Sequence, residues 1–391
     1  MIKNEAHKMK KIKSIKNYVS ISVILLAVCQ TNAADISFRN EIQIALNKGF
    51  RYLQENQNTN SYWGNPDLPA MTALALIAFE GDPEQKYRIK EPEFIKRAYD
   101  YLLKNVKPEG GIYKENLPTY NTAISITALA AANKPEFEPI MRKARQFLIS
   151  LQADYGDPGK IDTPLDGGFG YGSSNRKSAD MSNTMFALDA LYHTKHLAKE
   201  LKPGEKDLNY EAAITFLQNC QNFPKYNTNK WVSEYPDDYG GFVYYPGYSM
   251  AGGRTNETTG KVSLRSYGSI SYNGLLSYIY ANLKKNDPRV QAVYDWLKAN
   301  YTLDENPRLG QNGLYYYYHT MAKALSTYGV DELVLKDGKV VNWRKELAMK
   351  LLNLQKQDGS WSNESNRWME KDPILVTSYS LIALEFVYRG L

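Results

Sequence analysis

The chain has 391 residues, with 48 Lys and Arg against 42 Asp and Glu, four His and two Cys. Six of the lysines and one acid, Glu5, fall within residues 1–33, so the remainder carries a net charge of about +1, which excludes the basic footprint of a nucleic-acid-binding protein. Cys29 lies in the same stretch, leaving Cys220 alone and excluding an internal disulfide.

Lys3, Lys8, Lys10, Lys11, Lys13 and Lys16 precede an apolar run from Tyr18 to Val28 and then Thr31-Asn32-Ala33. That order predicts a secretory signal peptide over residues 1–33. The run is about 11 residues, short of the roughly 20 that a helix needs to cross a bilayer. The expectation is therefore export of residues 34–391, periplasmic or extracellular, with no transmembrane segment in the mature chain. A lipoprotein signal at Leu26-Ala27-Val28-Cys29 is the rival, but bulky Val28 stands where a small residue belongs.

From there one segment type recurs: an aromatic or aliphatic residue, Leu, often Gln, then a turn with Gly or Trp. It runs through Leu53 with Trp63, Leu102 with Gly110, Leu148 with Gln152 and Gly167, Leu217 with Gln218 and Gly240, Leu297 with Gly310, and Leu352 with Gln355 and Trp361. Spacings of this size mark stacked supersecondary units. Segments such as 41–56 and 92–105 mix charge and apolar residues at helical spacing, as outer helices do. After each turn comes a nearly uncharged segment: 71–79, 122–131, 183–191, 267–281, 319–325 and 376–386. A helix apolar all round is buried. An open stack would need polar caps at its ends, and Val376–Phe386 is the opposite of one. The pattern predicts an all-α domain over 34–391, an α6/α6 toroid: a closed double ring of six helix pairs.

Leu352 to Trp361 reads L-x-x-Q-x-x-D-G-S-W and resembles the QW repeat of squalene and oxidosqualene cyclases, within the terpenoid cyclase and protein prenyltransferase superfamily. The resemblance covers essentially the whole mature chain and implies a transferase or isomerase acting on an isoprenoid. Two motifs depart from it. Asp180-Met181-Ser182-Asn183-Thr184 lies where class II cyclases carry D-x-D-D-T, with Ser182 and Asn183 in place of two acids; neither supplies a strong proton. Tyr318-His319-Thr320 resembles the Y-H-T that brings a zinc-binding histidine to prenyltransferase β subunits, but the matching Asp and Cys are missing. No metal and no cofactor are expected.

In such a ring the inner helices start at one mouth, and their positive ends favour an anion there. The candidates at those starts are His319, Tyr318 and Asp180 as catalytic groups and Asn183, Arg265, Tyr267, Arg367 and Trp368 as ligand-binding groups. Asp180, Asn183, Arg265, Tyr318 and His319 are expected to converge. Each has a plain structural reading too: Asp180 or Ser182 as a helix cap, His319 as an interior histidine, and any one of the 31 tyrosines as packing between repeats. Three functions fit. The first is binding or transforming an isoprenoid-type ligand in a central cavity. The second is a polysaccharide-lyase-like enzyme in which Arg and Asn neutralise a uronate, and the third is a non-catalytic scaffold. The partner is thus a small-molecule or oligomeric ligand, anionic or apolar.

Overall fold

Residues 36–172 and 179–391 are described by the structure, a computed structural model; the expected signal peptide, 1–33, lies outside them. In chain order the helices are α1 (36–55), α2 (Pro69–Gly81), the single-turn α3 (Lys86–Ile89), α4 (Glu93–Lys104), α5 (Pro118–Ala132) and α6 (Glu138–Ser150). They continue as α7 (Met181–His193), α8 (Tyr210–Cys220), α9 (Gly268–Tyr280), α10 (Pro288–Ala299), α11 (Leu314–Tyr328), α12 (Trp343–Leu354) and α13 (Pro373–Tyr388). Short antiparallel hairpins decorate the links: β1 (Phe169–Gly170) with β2 (Ala179–Asp180), β3 (Gly253–Thr255) with β4 (Val262–Leu264), and β5 (Glu332–Val334) with β6 (Val340–Asn342). Among the described residues no helix is long and apolar enough to cross a membrane.

The six nearly uncharged segments all become inner helices. α2 packs on α5, α5 on α7, α7 on α9, α9 on α11, α11 on α13 and α13 back on α2, so the ring closes. α1, α4, α6, α8, α10 and α12 form the outer layer and bury only one face; in α4 that face is Ile95, Ala98, Tyr99 and Leu102. Inner helices begin earlier than the charge-free windows suggest. Pro69, Pro118 and Pro373 open three of them, since proline lacks the N–H that a first turn leaves unpaired anyway. α11 begins at Leu314, five residues before the expected 319, and the tyrosine run is helical. Its cap comes from far along the chain: the Glu370 carboxylate accepts the N–H of Tyr316 at 2.8 Å and of Tyr315 at 3.4 Å. No local pattern announces that.

The repeats are stitched by one recurring device. A hydroxyl on the inner helix accepts the backbone N–H of the preceding turn: Thr72 from Trp63, Thr122 from Ile112, Thr184 from Phe169, Ser271 from Phe242 and Thr377 from Trp361, at 2.9–3.1 Å. A glutamine amide then bridges its own turn to the next outer helix. Gln152 Nε2 donates to Gly167 O and Asn209 O, and Gln355 Nε2 donates to Gly359 O at 3.0 Å and Ala45 O at 2.9 Å. In the fourth repeat Gln221, not Gln218, takes this place, donating to Gly240 O and Arg289 O. The Gln355 bond joins the last repeat to the first. Gly359 sits at the same seam with φ +89°, and a Cβ there would lie 2.5 Å from the Lys48 carbonyl oxygen. Trp361 completes the turn by donating Nε1–H to Leu351 O at 2.8 Å.

Breaking the seam should therefore weaken the whole ring. Gln355→Ala leaves two part-buried carbonyls unmet and should cost about 1–3 kcal/mol. Gly359→Ala should cost more than about 1 kcal/mol, because it adds a backbone clash to an unfavourable φ. Urea unfolding of both variants measures this, and changes below about 0.5 kcal/mol in both would show that closure does not depend on these contacts.

Candidate functional site

Two chambers lie among the inner helices, and Phe186 of α7 lines both. The first, of about 180 Å³, lies where the inner helices begin. Tyr120, Tyr171, Tyr244, Tyr267, Tyr316 and Tyr379 line it, with Phe186 and Trp368. Three of their hydroxyls have partners close by: Tyr171 and Tyr244 share a hydrogen bond at 3.1 Å, and Tyr316 accepts from Asn273 Nδ2 at 2.8 Å. Tyr244 comes from the long link between α8 and α9, which the fully buried Asp238 anchors to Arg308 at 2.8 Å and to Ser233 at 3.0 Å. Trp368, at φ +55°, closes the outer side beside Glu370.

Asp180 and Asn183 meet at the start of α7. Asp180 caps the helix: Oδ1 accepts Asn183 N–H at 2.9 Å and Oδ2 accepts Asn183 Nδ2–H at 2.7 Å. Burial pushes the Asp180 carboxyl up to about 6, against the lowering effect of the bonds from Asn183, Ser182 N–H and the Tyr244 hydroxyl. Asn183 lines the chamber and Asp180 lies behind it.

The second chamber, of about 250 Å³, lies where the inner helices end, and it is charged. Asp189 bonds Lys323 at 2.6 Å and His193 at 3.2 Å. Burial alone would raise the Asp189 carboxyl, but Lys323 and His193 hold it far below the usual carboxylate range. Glu80 accepts from Arg88 at 3.0 Å and from the Tyr99 hydroxyl at 3.0 Å. Glu385, 2 % exposed, is pushed well above the carboxylate range by burial, with Arg389 3.9 Å away as partial compensation. Gly81 makes room for it, since a Cβ there would meet Glu385 Oε2 at 1.7 Å.

Of the candidates read from sequence, Asp180, Asn183, Tyr267 and Trp368 come together at the first chamber. The others do not join them. His319 lies in the second chamber with Lys323, its ring 5.1 Å from that of Tyr379. The reason is the early start of α11, which puts Tyr316 at the level expected for His319 and drops His319 about 4.5 Å further along the helix. Tyr318 turns to the outer wall, where its hydroxyl donates to Leu303 O. Arg265 lines neither chamber; its backbone is tied to Ser249 and Gly252 in the preceding link. Arg367 stacks over the outer face of Trp368, 5.0 Å from the ring centre. The reading missed Tyr316, Tyr120, Tyr379 and Phe186, whose only signal is an aromatic residue near the start of an uncharged segment. It also missed Glu80, Asp189 and Glu385, although a single acid at the end of an otherwise uncharged helix is a visible anomaly. Among the described residues no three His, Cys, Asp or Glu gather as a metal site.

No known family model matches the chain. Solved structures do. The type II terpene cyclase MstE from Scytonema, in complex with its substrate geranylgeranyl dihydroxybenzoate, superposes with a TM-score of 0.52 at 12% identity over 91% of this chain and 99% of that one. Its complex with the product merosterolic acid A gives 0.51 at 11% identity, with the same coverage of both chains. This chain has the double-ring fold of the terpenoid cyclases. A protein from Actinoplanes shares it, with a TM-score of 0.50 at 12% identity over 90% of this chain and 100% of that one.

The burial of His319 has a measurable consequence. Burial first, and then the neighbouring Lys323 charge, lower its pKa to about 3, with Asp189 opposing. The folded protein refuses a proton that the unfolded chain takes at about 6.5. This contribution to stability is complete above pH 6.5 and is lost as pH falls toward 3. Asp180, with its raised pKa, contributes in the opposite sense, so the comparison is between variants. Between pH 7 and pH 4 the wild type should lose about 3 kcal/mol more stability than His319→Gln. Parallel stability–pH curves would count against a neutral buried His319.

Proposed function

We propose that this chain binds an isoprenoid-type ligand in the aromatic chamber and does not cyclise it in the manner of squalene cyclases. The observation that carries this is the lining: six tyrosines, Phe186 and Trp368, with neither Lys nor Arg among the lining residues. Such a wall buries a branched hydrocarbon well and meets any developing positive charge through cation–π attraction. The fold shared with a terpene cyclase that binds geranylgeranyl dihydroxybenzoate supports the same class.

Cyclisation begins when a strong acid protonates an alkene or epoxide. At the corresponding turn this chain has Ser182 and Asn183, and the nearby Asp180 is a weak acid shielded behind Asn183. The polysaccharide-lyase reading needed Arg265, Tyr318 and His319 beside one ligand, and these three side chains point to three different places. A uronate would also find no cation in the aromatic chamber.

A chamber of about 180 Å³ is smaller than the roughly 300–1,000 Å³ of sites for drug-sized ligands, so it suits a short prenyl segment. Phe186 is the barrier to a longer one. Titration of Trp fluorescence with geraniol, farnesol and geranylgeraniol should show saturable binding that weakens with chain length in the wild type. Phe186→Ala joins the two chambers and should relax that preference toward the longer chains by about tenfold in relative affinity. Binding of oligouronates in place of prenols would refute the reading. Export is part of the proposal: the protein recovered outside the cytoplasm should begin at Ala34 by N-terminal sequencing, and recovery of the intact N-terminus there would exclude cleavage.

A further inference from the structure

We propose that the ligand of the aromatic chamber carries a neutral hydrogen-bond donor at its head, an alcohol or phenol, which the Asn183 side-chain oxygen receives. The inference rests on the isoprenoid reading and adds the chemistry of the head group.

Asn183 is 1 % exposed and its amide can point only one way. The Asp180 carboxylate has only acceptors, so the amide nitrogen must face it, as the 2.7 Å bond from Nδ2 to Oδ2 shows. The backbone N–H of Asn183 is bound to the other carboxylate oxygen at 2.9 Å, which holds the residue from a second side. Oδ1 therefore faces away from Asp180, and it has no partner in the protein. Among the described residues lining the chamber, it is the one buried side-chain acceptor left unmet. Pairing with the carboxylate on the nitrogen side also draws electron density toward Oδ1, which makes it a better acceptor.

An anionic head is disfavoured by a separate set of observations. Helix starts attract anions through unpaired N–H groups, but here three inner helices already hold a carboxylate of the chain itself. Asp180 caps α7, Glu370 caps α11, and Asp372 caps α13 by accepting from Ile374 N–H at 2.8 Å. Glu370 also lines the chamber and is 1 % exposed. A diphosphate or carboxylate would meet these acids with no Lys or Arg beside it. The expectation that the gathered helix ends favour an anion is thus reversed by the caps. An uncharged head avoids this repulsion, and a hydroxyl also satisfies Oδ1.

The test compares three ligands with one chain: geraniol, geranyl methyl ether and geranyl diphosphate, titrated into the wild-type protein at pH 7.5. Geraniol should bind about tenfold more tightly than the ether, the worth of one well-placed hydrogen bond to a buried acceptor, and the diphosphate should bind most weakly. In Asn183→Leu, checked for an unchanged helical circular dichroism spectrum, geraniol should fall to the level of the ether while the ether changes little. The ligand series needs no variant, so the inference stays testable even if Asn183→Leu fails to fold. Equal binding of alcohol and ether, or tighter binding of the diphosphate, overturns the head-group assignment while leaving the isoprenoid reading standing. Binding of none of the three by the folded wild type overturns both.

Discussion

Everything in this molecule depends on the inner ring being closed. Each inner helix packs against two inner neighbours and the outer layer, so most of the polar groups it carries need a partner inside the protein, and Asn183 Oδ1 is among the few left without one. The chain meets that demand with one device used repeatedly. An inner-helix hydroxyl takes the turn's N–H, and a glutamine amide ties the turn to the next outer helix. Because Gln355 and Gly359 reach α1, the last repeat uses the same contacts as the interior ones. The clamp is what converts a stack with two ends into a ring with none.

Closure also shapes the channel. The inner helices run side by side, so one end of the ring collects N–H groups and the other collects carbonyls. Carboxylates from Asp180, Glu370 and Asp372 meet the first set, which leaves an aromatic chamber with neither Lys nor Arg in its lining. At the opposite end Lys323, Arg88 and Arg389 stand among Asp189, Glu80 and Glu385. Cations belong near helix C-termini on electrostatic grounds, and the acids keep them in place. The same fold thus presents an aromatic chamber and a charged one, with Phe186 lining both.

The relation to the terpenoid cyclases is one of architecture. At 11–12% identity, what is shared is the double ring. Asn183 occupies the first turn of α7 as an acceptor held in one orientation by Asp180. A motif read only for its missing acids appears as a loss. With the amide's geometry known, the same turn is a fixed pairing in which Asp180 receives both the backbone and the side-chain N–H of Asn183.

The sequence by itself determined the helix pairs, their number and their burial. Six nearly uncharged segments alternating with amphipathic ones leave few other solutions, and hydrophobic patterning is a local property that can be read residue by residue. It also determined that Asp180 and Asn183 belong together, because they share one helical turn. Only the tertiary structure decided which side chains from different repeats meet. The start of α11 is set by Glu370, which lies 54 residues beyond the Tyr316 N–H it receives. One displaced helix boundary moved His319 out of the first chamber and put Tyr316 into it. Arg265 and Tyr318 were lost to the site for a similar reason, since the direction of a side chain depends on packing partners that no local spacing encodes.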